Sequence, residues 1–297
     1  MKINKETKLI MMLLKVKDIG GQTVKKIIQR VEDVDKSVDN LNCLINCCAD
    51  LPTGKLLNKI SQSNWDKYRL ETAKELQIAQ EKEFAVINYL EKRYPQNLLD
   101  LIKFPVILYA KGNLNLLNYA KKVAIIGTRT PTSTAIKRDI EVTKWFSEHD
   151  YVIVSGLAVG CDTYAHRYAQ KTIAVLAHGL DQPIYPAENT LLAEQILAKN
   201  GLLISTFPLG TKPMRYNFAA RDEWQSGLSD GVIVIETGFK GGTMITVKQA
   251  LQQPKPIGVL VYEHYDQNNL GNRELLTKKK FTKLSTEKSF KDFDKKI

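Results

Sequence analysis

Hydrophobic and polar positions follow two different patterns along the chain. As far as about Leu90 the sequence reads as helical and rich in Lys, Gln, Asn and Glu, with no strand-like alternation. From Tyr94-Pro95 onward, short apolar runs recur at 106–110, 123–126, 151–154, 172–177, 202–205, 232–236 and 257–261. Helix-compatible segments such as 135–149 and 190–200 separate most of them. Near-continuous apolar strands alternating with helices predict an α/β, Rossmann-like domain: a mostly parallel open sheet with helices on both faces. A small helical domain precedes it. The predicted bounds are 1–90 for the helical domain and 91–276 for the α/β domain. Residues 277–297 are crowded with Lys and read as a solvated, frayed tail.

Glycine-bearing turns follow three of the apolar runs. The most telling is Tyr151-Val-Ile-Val-Ser-Gly-Leu-Ala-Val-Gly-Cys-Asp162, where a strand breaks at Ser155, Gly156 and Gly160 and a helix-compatible segment starts at Asp162. The others are Gly127-Thr-Arg129 and Gly241-Gly-Thr243. Right-handed crossovers place all three along the carboxyl edge of the sheet, where such folds bind ligands. Glycines let backbone N–H groups approach a ligand, and a helix N-terminus favours an anion. A phosphate-binding cleft is the expectation.

Charge narrows the ligand. The 297 residues carry a formal charge of +11, which points to a polyanionic partner, nucleic acid or an anionic membrane surface. No apolar run approaches the ~18 residues of a membrane span, and 10–14 is too short for a secretory segment. A cytoplasmic location without membrane association is therefore expected. Cys43, Cys47 and Cys48 lie close together without a second pair to complete a zinc site, so reduced, mostly buried thiols and no metal are expected. Cys161 has no His or Lys beside it in sequence to activate it.

Candidate contacts follow from residue type. Arg129 can meet a phosphate bidentately, and Phe218 with Arg221 suits base stacking beside a phosphate contact, although Phe218 reads equally as a core aromatic. Lys171 precedes its strand and belongs at the amino end unless a loop folds it over. Asp162 and His166, at i and i+4, can pair, but Ser155 is the one nearby nucleophile and its surroundings are not a G-x-S-x-G elbow. Tyr185 either lines the cleft or packs. A G-x-G-x-x-G fingerprint and a P-loop are both absent, so no dinucleotide or other cofactor is expected. In the N-terminal part, residues 13–28 resemble a helix-hairpin-helix, with Asp18 where the first glycine is usual; the hairpin would either meet a nucleic-acid phosphate or simply pack.

Taken together, Ala124-Ile-Ile-Gly-Thr-Arg129, Val154-Ser-Gly-Leu-Ala-Val-Gly-Cys-Asp162, Lys171-Thr-Ile-Ala-Val-Leu176, Gly179-Leu-Asp181, Tyr185-Pro-Ala-Glu-Asn189, Gly201-Leu-Leu-Ile-Ser205, Phe218-Ala-Ala-Arg221, Gly227-Leu-Ser-Asp230 and Gly271-Asn272 resemble the DNA-processing protein A (DprA/Smf) family over about residues 94–276. The resemblance implies a homodimeric, non-enzymatic protein that binds single-stranded DNA. It also implies transfer of that strand to a RecA-type recombinase during natural transformation and recombination. On this basis Arg129, Lys171 and Arg221 would contact phosphates. Ser155, Gly156, Gly241, Gly242 and Thr243 would offer hydroxyl or backbone donors, and Phe218 would touch a base.

The chain departs from the family pattern in two places. Asp222 and Glu223 stand where an amide and a cation are usual, which should weaken binding if they are partly exposed. Gly241-Gly-Thr243 replaces a Ser-Gly-Ser turn. That turn also resembles the LOG-type nucleoside-monophosphate phosphoribohydrolases, but Thr246 stands where their carboxylate is needed. A nucleotide-binding sensor or a LOG-like hydrolase are the alternative readings.

Overall fold

The computed structural model describes residues 4–297, which form two compact units. The first comprises the chain as far as Tyr94 together with Ile102–Tyr109. It holds α1 (Lys5–Leu14), α2 (Gly21–Ile28), α3 (Val34–Asp39), α4 (Leu41–Cys47), α5 (Pro52–Leu57) and α6 (Gln62–Glu81). A strand, β1 (Ala85–Asn88), follows and neighbours β2 (Ile107–Gly112). β1 lies where the sequence pattern reads helix; its Ala-Val-Ile-Asn run is too short to show a period. Trp65 anchors this unit, fully buried, with Nε1 donating to the Ser37 and Val38 carbonyls.

The expected α1–α2 hairpin forms, and Asp18 takes the left-handed conformation (φ 65°) that a glycine usually supplies. The start of α2 packs against its own unit. A Cβ on Gly21 would lie 2.7 Å from the Phe104 carbonyl, and Gln22 donates to the Ile102 carbonyl. Cys43, Cys47 and Cys48 are free thiols, burial pushes Cys48 up to about 11, and no metal-binding group occurs among the described residues.

The second unit runs β3 (Lys122–Ile126), α7 (Ser133–Glu148), β4 (Val152–Ser155), α8 (Cys161–Tyr168), β5 (Thr172–Leu176), α9 (Thr190–Ala198), β6 (Leu202–Ser205), α10 (Arg215–Leu228), β7 (Gly231–Val234), α11 (Gly242–Ala250), β8 (Ile257–Leu260), α12 (Leu270–Leu276), β9 (Phe281–Leu284) and α13 (Glu287–Asp294). The strands lie parallel in the order β6-β5-β4-β3-β7-β8-β9. Chain order thus runs outward from β3 to β6, then jumps back across β3 to β7. The strands flanking that jump, β3 and β7, open a crevice at their carboxyl ends, the place such sheets reserve for ligands.

Alternation along the strands builds two cores. Val123 and Ile125 of β3 face one side with Val142, Trp145 and Phe146 of α7 and Ala165 of α8. Ala124 and Ile126 face the other with Val247 and Ala250 of α11 and Leu275 of α12. The first core also takes Phe290 and Phe293, which are 1% and 0% exposed. Residues 277–297 are therefore not a frayed tail. β9 pairs with β8, and α13 lays two aromatics on Phe146 while its lysines point to solvent. The Lys count masks this amphipathic spacing.

Candidate nucleic-acid interface

The crevice is a cleft of about 550 Å³. Gly127, Thr128 and Arg129 line it from the exit of β3, and Thr237, Gly238 and residues 240–243 from the exit of β7. Phe218, Asp222 and Gln225 reach it from α10. Arg129, Arg215 and Lys240 are exposed at its mouth, and Tyr185 at 45% exposure packs against Phe218 with centroids 5.5 Å apart. The Arg129 guanidinium lies 5.5 Å from the Phe218 ring centroid, a cation–π arrangement. α11 starts at the cleft wall with no side chain capping its N–H groups, and a Cβ on Gly241 or Gly242 would meet nothing within 4 Å. That end offers uncapped donors and positive dipole to an anion.

The other glycine turn is built differently. Ser155 is fully buried and donates its hydroxyl to the Ile125 carbonyl at 2.7 Å. The Gly156 and Ala158 N–H groups donate to Asp162 Oδ2 at 3.1 and 3.2 Å. A Cβ on Gly156 would run into the Arg221 guanidinium, and one on Gly160 would lie 2.4 Å from the Thr128 carbonyl. These glycines allow protein to approach protein, not ligand. Ser155 and Gly156, expected as donors, have their donors committed inside the fold.

Arg221 is also internal. It is 3% exposed and donates Nη1 to the Val175 carbonyl at 3.2 Å. Its guanidinium stands 3.8 Å from Asp162 and 3.1 Å from Asp222. The Nε–Asp222 approach is an ion pair without the geometry of a hydrogen bond. Burial pushes both carboxyls above their usual range, and the guanidinium opposes the shift. Asp222 therefore answers Arg221 and accepts from Thr246 Oγ1 at 2.9 Å, while Glu223 does not line the cleft.

Asp162 and His166 do not pair with each other. Leu157 N–H donates to His166 Nε2 at 3.2 Å, and Nδ1–H donates to Thr172 Oγ1 at 2.7 Å, which in turn donates to the Ile153 carbonyl. Burial, with the Arg221 charge adding to it, holds His166 down to about 3, so the ring is neutral and structural. Asn189 fixes the same turn by donating to the Leu157 and Ala158 carbonyls. Asn272 likewise clamps the exit of β7, accepting from Thr237 N–H and donating to the Ile235 and Leu260 carbonyls.

Residues 85–294 match the family model of DNA recombination-mediator protein A. The chain belongs to that family. DNA processing protein DprA of Streptococcus pneumoniae is 32% identical over 248 residues, covering 82% of this chain and 83% of that protein. Its counterpart in Bacillus subtilis is 41% identical over 170 residues, and the chain spans just over half, 57%, of that relative's length. The X-ray structure of S. pneumoniae DNA processing protein A superposes with a TM-score of 0.74 at 26% identity over 98% of each chain. DNA processing protein A of Helicobacter pylori, whose structure describes a single-stranded DNA binding mode, gives 0.63 at 31% identity over 71% of this chain and 94% of that one.

Like Ser155 and Gly156, Lys171, carried over from the family resemblance, lies outside the cleft. Lys171 sits at the amino end of β5, opposite the carboxyl edge, where its Nζ pairs with Asp150 at 2.6 Å and bonds the Tyr119 hydroxyl. No loop folds it over. Of the expected set, the structure gathers Arg129, Phe218, Gly241, Gly242 and Thr243 on the cleft surface, with Arg221 beneath. Arg215 and Lys240, not anticipated, complete the cationic mouth. Met214-Arg-Tyr-Asn217 gives no periodic signal, whereas Lys240, beside the Gly241-Gly242 turn, was legible as a neighbour of it. Among the described residues no helix is long and apolar enough to cross a membrane.

Proposed function

We propose that this protein binds single-stranded DNA in the β3/β7 cleft and works, as a cytoplasmic homodimer without catalytic activity, in handing that strand to a RecA-type recombinase during DNA uptake and recombination. The observation that carries the reading is the open cleft with Arg129, Arg215 and Lys240 exposed around Phe218 and Tyr185. Guanidinium and ammonium groups contact phosphates, while the aromatic faces accept bases of any sequence. The uncapped start of α11 supplies further donors. The DNA-binding behaviour of the H. pylori relative supports the same reading.

Fluorescence anisotropy with a labelled single strand, beside a duplex of equal length, tests it. Preference for the single strand, with log affinity falling by about 0.7 per phosphate contact as log salt rises, is the expected result. Failure to bind at low salt refutes it. A second reading draws on Asp222, whose carboxylate meets Thr246 at the cleft wall and so supplies an acid near the position where LOG-type hydrolases carry theirs. Release of free base from nucleoside monophosphates would support that reading, and its absence would dismiss it.

A further inference from the structure

Phe218 and Asp222 are four residues apart on α10 and both line the cleft, so the ring and the carboxylate share one helix face. A base that took the place of the Arg129 guanidinium on the Phe218 ring would have Asp222 one helical turn away on the same face. The exposed cations lie at the mouth: Arg215 and Lys240 there, with Arg129, whose guanidinium lies over the Phe218 ring, whereas the Asp222 side chain is 16% exposed. A strand held by these cations would keep its backbone at the mouth and turn a base inward, away from carboxylates that would repel a phosphate.

The chemistry facing such a base is one-sided. An ionised carboxylate only accepts hydrogen bonds and has about four lone-pair sites. Asp222 commits one to Thr246 and orients another toward Arg221, whose charge favours the ionised form. The remaining capacity suits an N–H donor. Cytosine, adenine and guanine present an exocyclic amino group, and carboxylates accept from cytosine N4. At the corresponding place thymine presents a carbonyl oxygen, acceptor against acceptor, and its one Watson–Crick donor, N3–H, lies between two carbonyl oxygens that also face the carboxylate.

Resting on the single-strand reading above, we infer that Asp222 makes the cleft discriminate among bases, taking amino-bearing bases ahead of thymine at the position stacked on Phe218. The departure from an amide to an acid at this residue thus changes base preference rather than simply weakening phosphate binding. An amide can turn either its donor or its acceptor to a base, whereas the acid cannot.

The test compares oligo(dC) with oligo(dT) of equal length by anisotropy at one salt concentration. Both are flexible pyrimidine strands with the same charge, so the phosphate contribution cancels. The intact protein should bind oligo(dC) about five- to tenfold more tightly. Asp222→Asn, checked for folding by circular dichroism, should bring the ratio close to one while leaving the salt slope unchanged. The wild-type ratio needs no variant, so the inference stands or falls even if the substitution unfolds the chain. Equal affinities in the wild type overturn the inference and leave strand binding intact. A ratio that persists in Asp222→Asn overturns the assignment to this residue. Binding of neither oligomer removes the single-strand reading and the inference with it.

Discussion

Replacing Arg221 by alanine should damage the fold before it damages binding. The side chain is 4% exposed and stands between Asp162 and Asp222, which are 10% and 16% exposed, at 3.8 and 3.1 Å. Solvent screens little of this. Removing one partner of a buried ion pair leaves an uncompensated charge and costs about 3–5 kcal/mol. Here two carboxylates lose their partner, and the Val175 carbonyl loses its donor. With a urea slope of ~2–3 kcal/mol per molar, a loss of about 4 kcal/mol lowers the unfolding midpoint by roughly 1.3–2 M. The pH dependence has a definite sign. Burial raises both carboxyls, so the folded state holds more protons than the unfolded one, and stability falls as pH climbs above the ordinary carboxylate range. Without the guanidinium this slope steepens: the deficit of Arg221→Ala should be largest near neutral pH and shrink on acidification toward about pH 5. Urea unfolding followed by far-UV circular dichroism at several pH values reads it. An unchanged midpoint, with single-strand affinity lost at the same time, would refute the argument and return Arg221 to the ligand.

Arg129→Ala should leave the urea midpoint in place, lower single-strand affinity and reduce the salt slope by about 0.7, the value of one phosphate contact, in anisotropy titrations. Lys171→Ala should leave affinity unchanged in the same assay, because its ammonium pairs with Asp150 at the far edge of the sheet. His166 is held down to about 3, so between there and its ordinary value the unfolded chain binds the extra proton, and stability rises with pH across that window. His166→Gln should flatten this rise in unfolding midpoints measured from acid to neutral pH. Phe290→Ala should cost about 3–5 kcal/mol by urea unfolding, since the ring is 1% exposed against Trp145 and Phe146.

The apolar runs determined that a parallel sheet would form, because only strands buried on both faces tolerate such continuity. They also fixed which edge carries the glycine turns, since every crossover has the same hand. The cleft, Arg129, Phe218 and the Gly241-Gly242 turn were legible in that frame. What each glycine is for was not: Gly156 makes room for the Arg221 guanidinium, whereas Gly241 and Gly242 open onto empty space, and sequence shows both as the same turn. Nor could local pattern reveal that Arg221 is enclosed by Asp162 and Asp222, or that residues 277–297 end in a helix seated on Trp145 and Phe146. Periodicity specifies the face on which a side chain lies. Whether that face meets solvent, a ligand or another buried charge depends on contacts between residues tens of positions apart, and those exist only once the chain has folded.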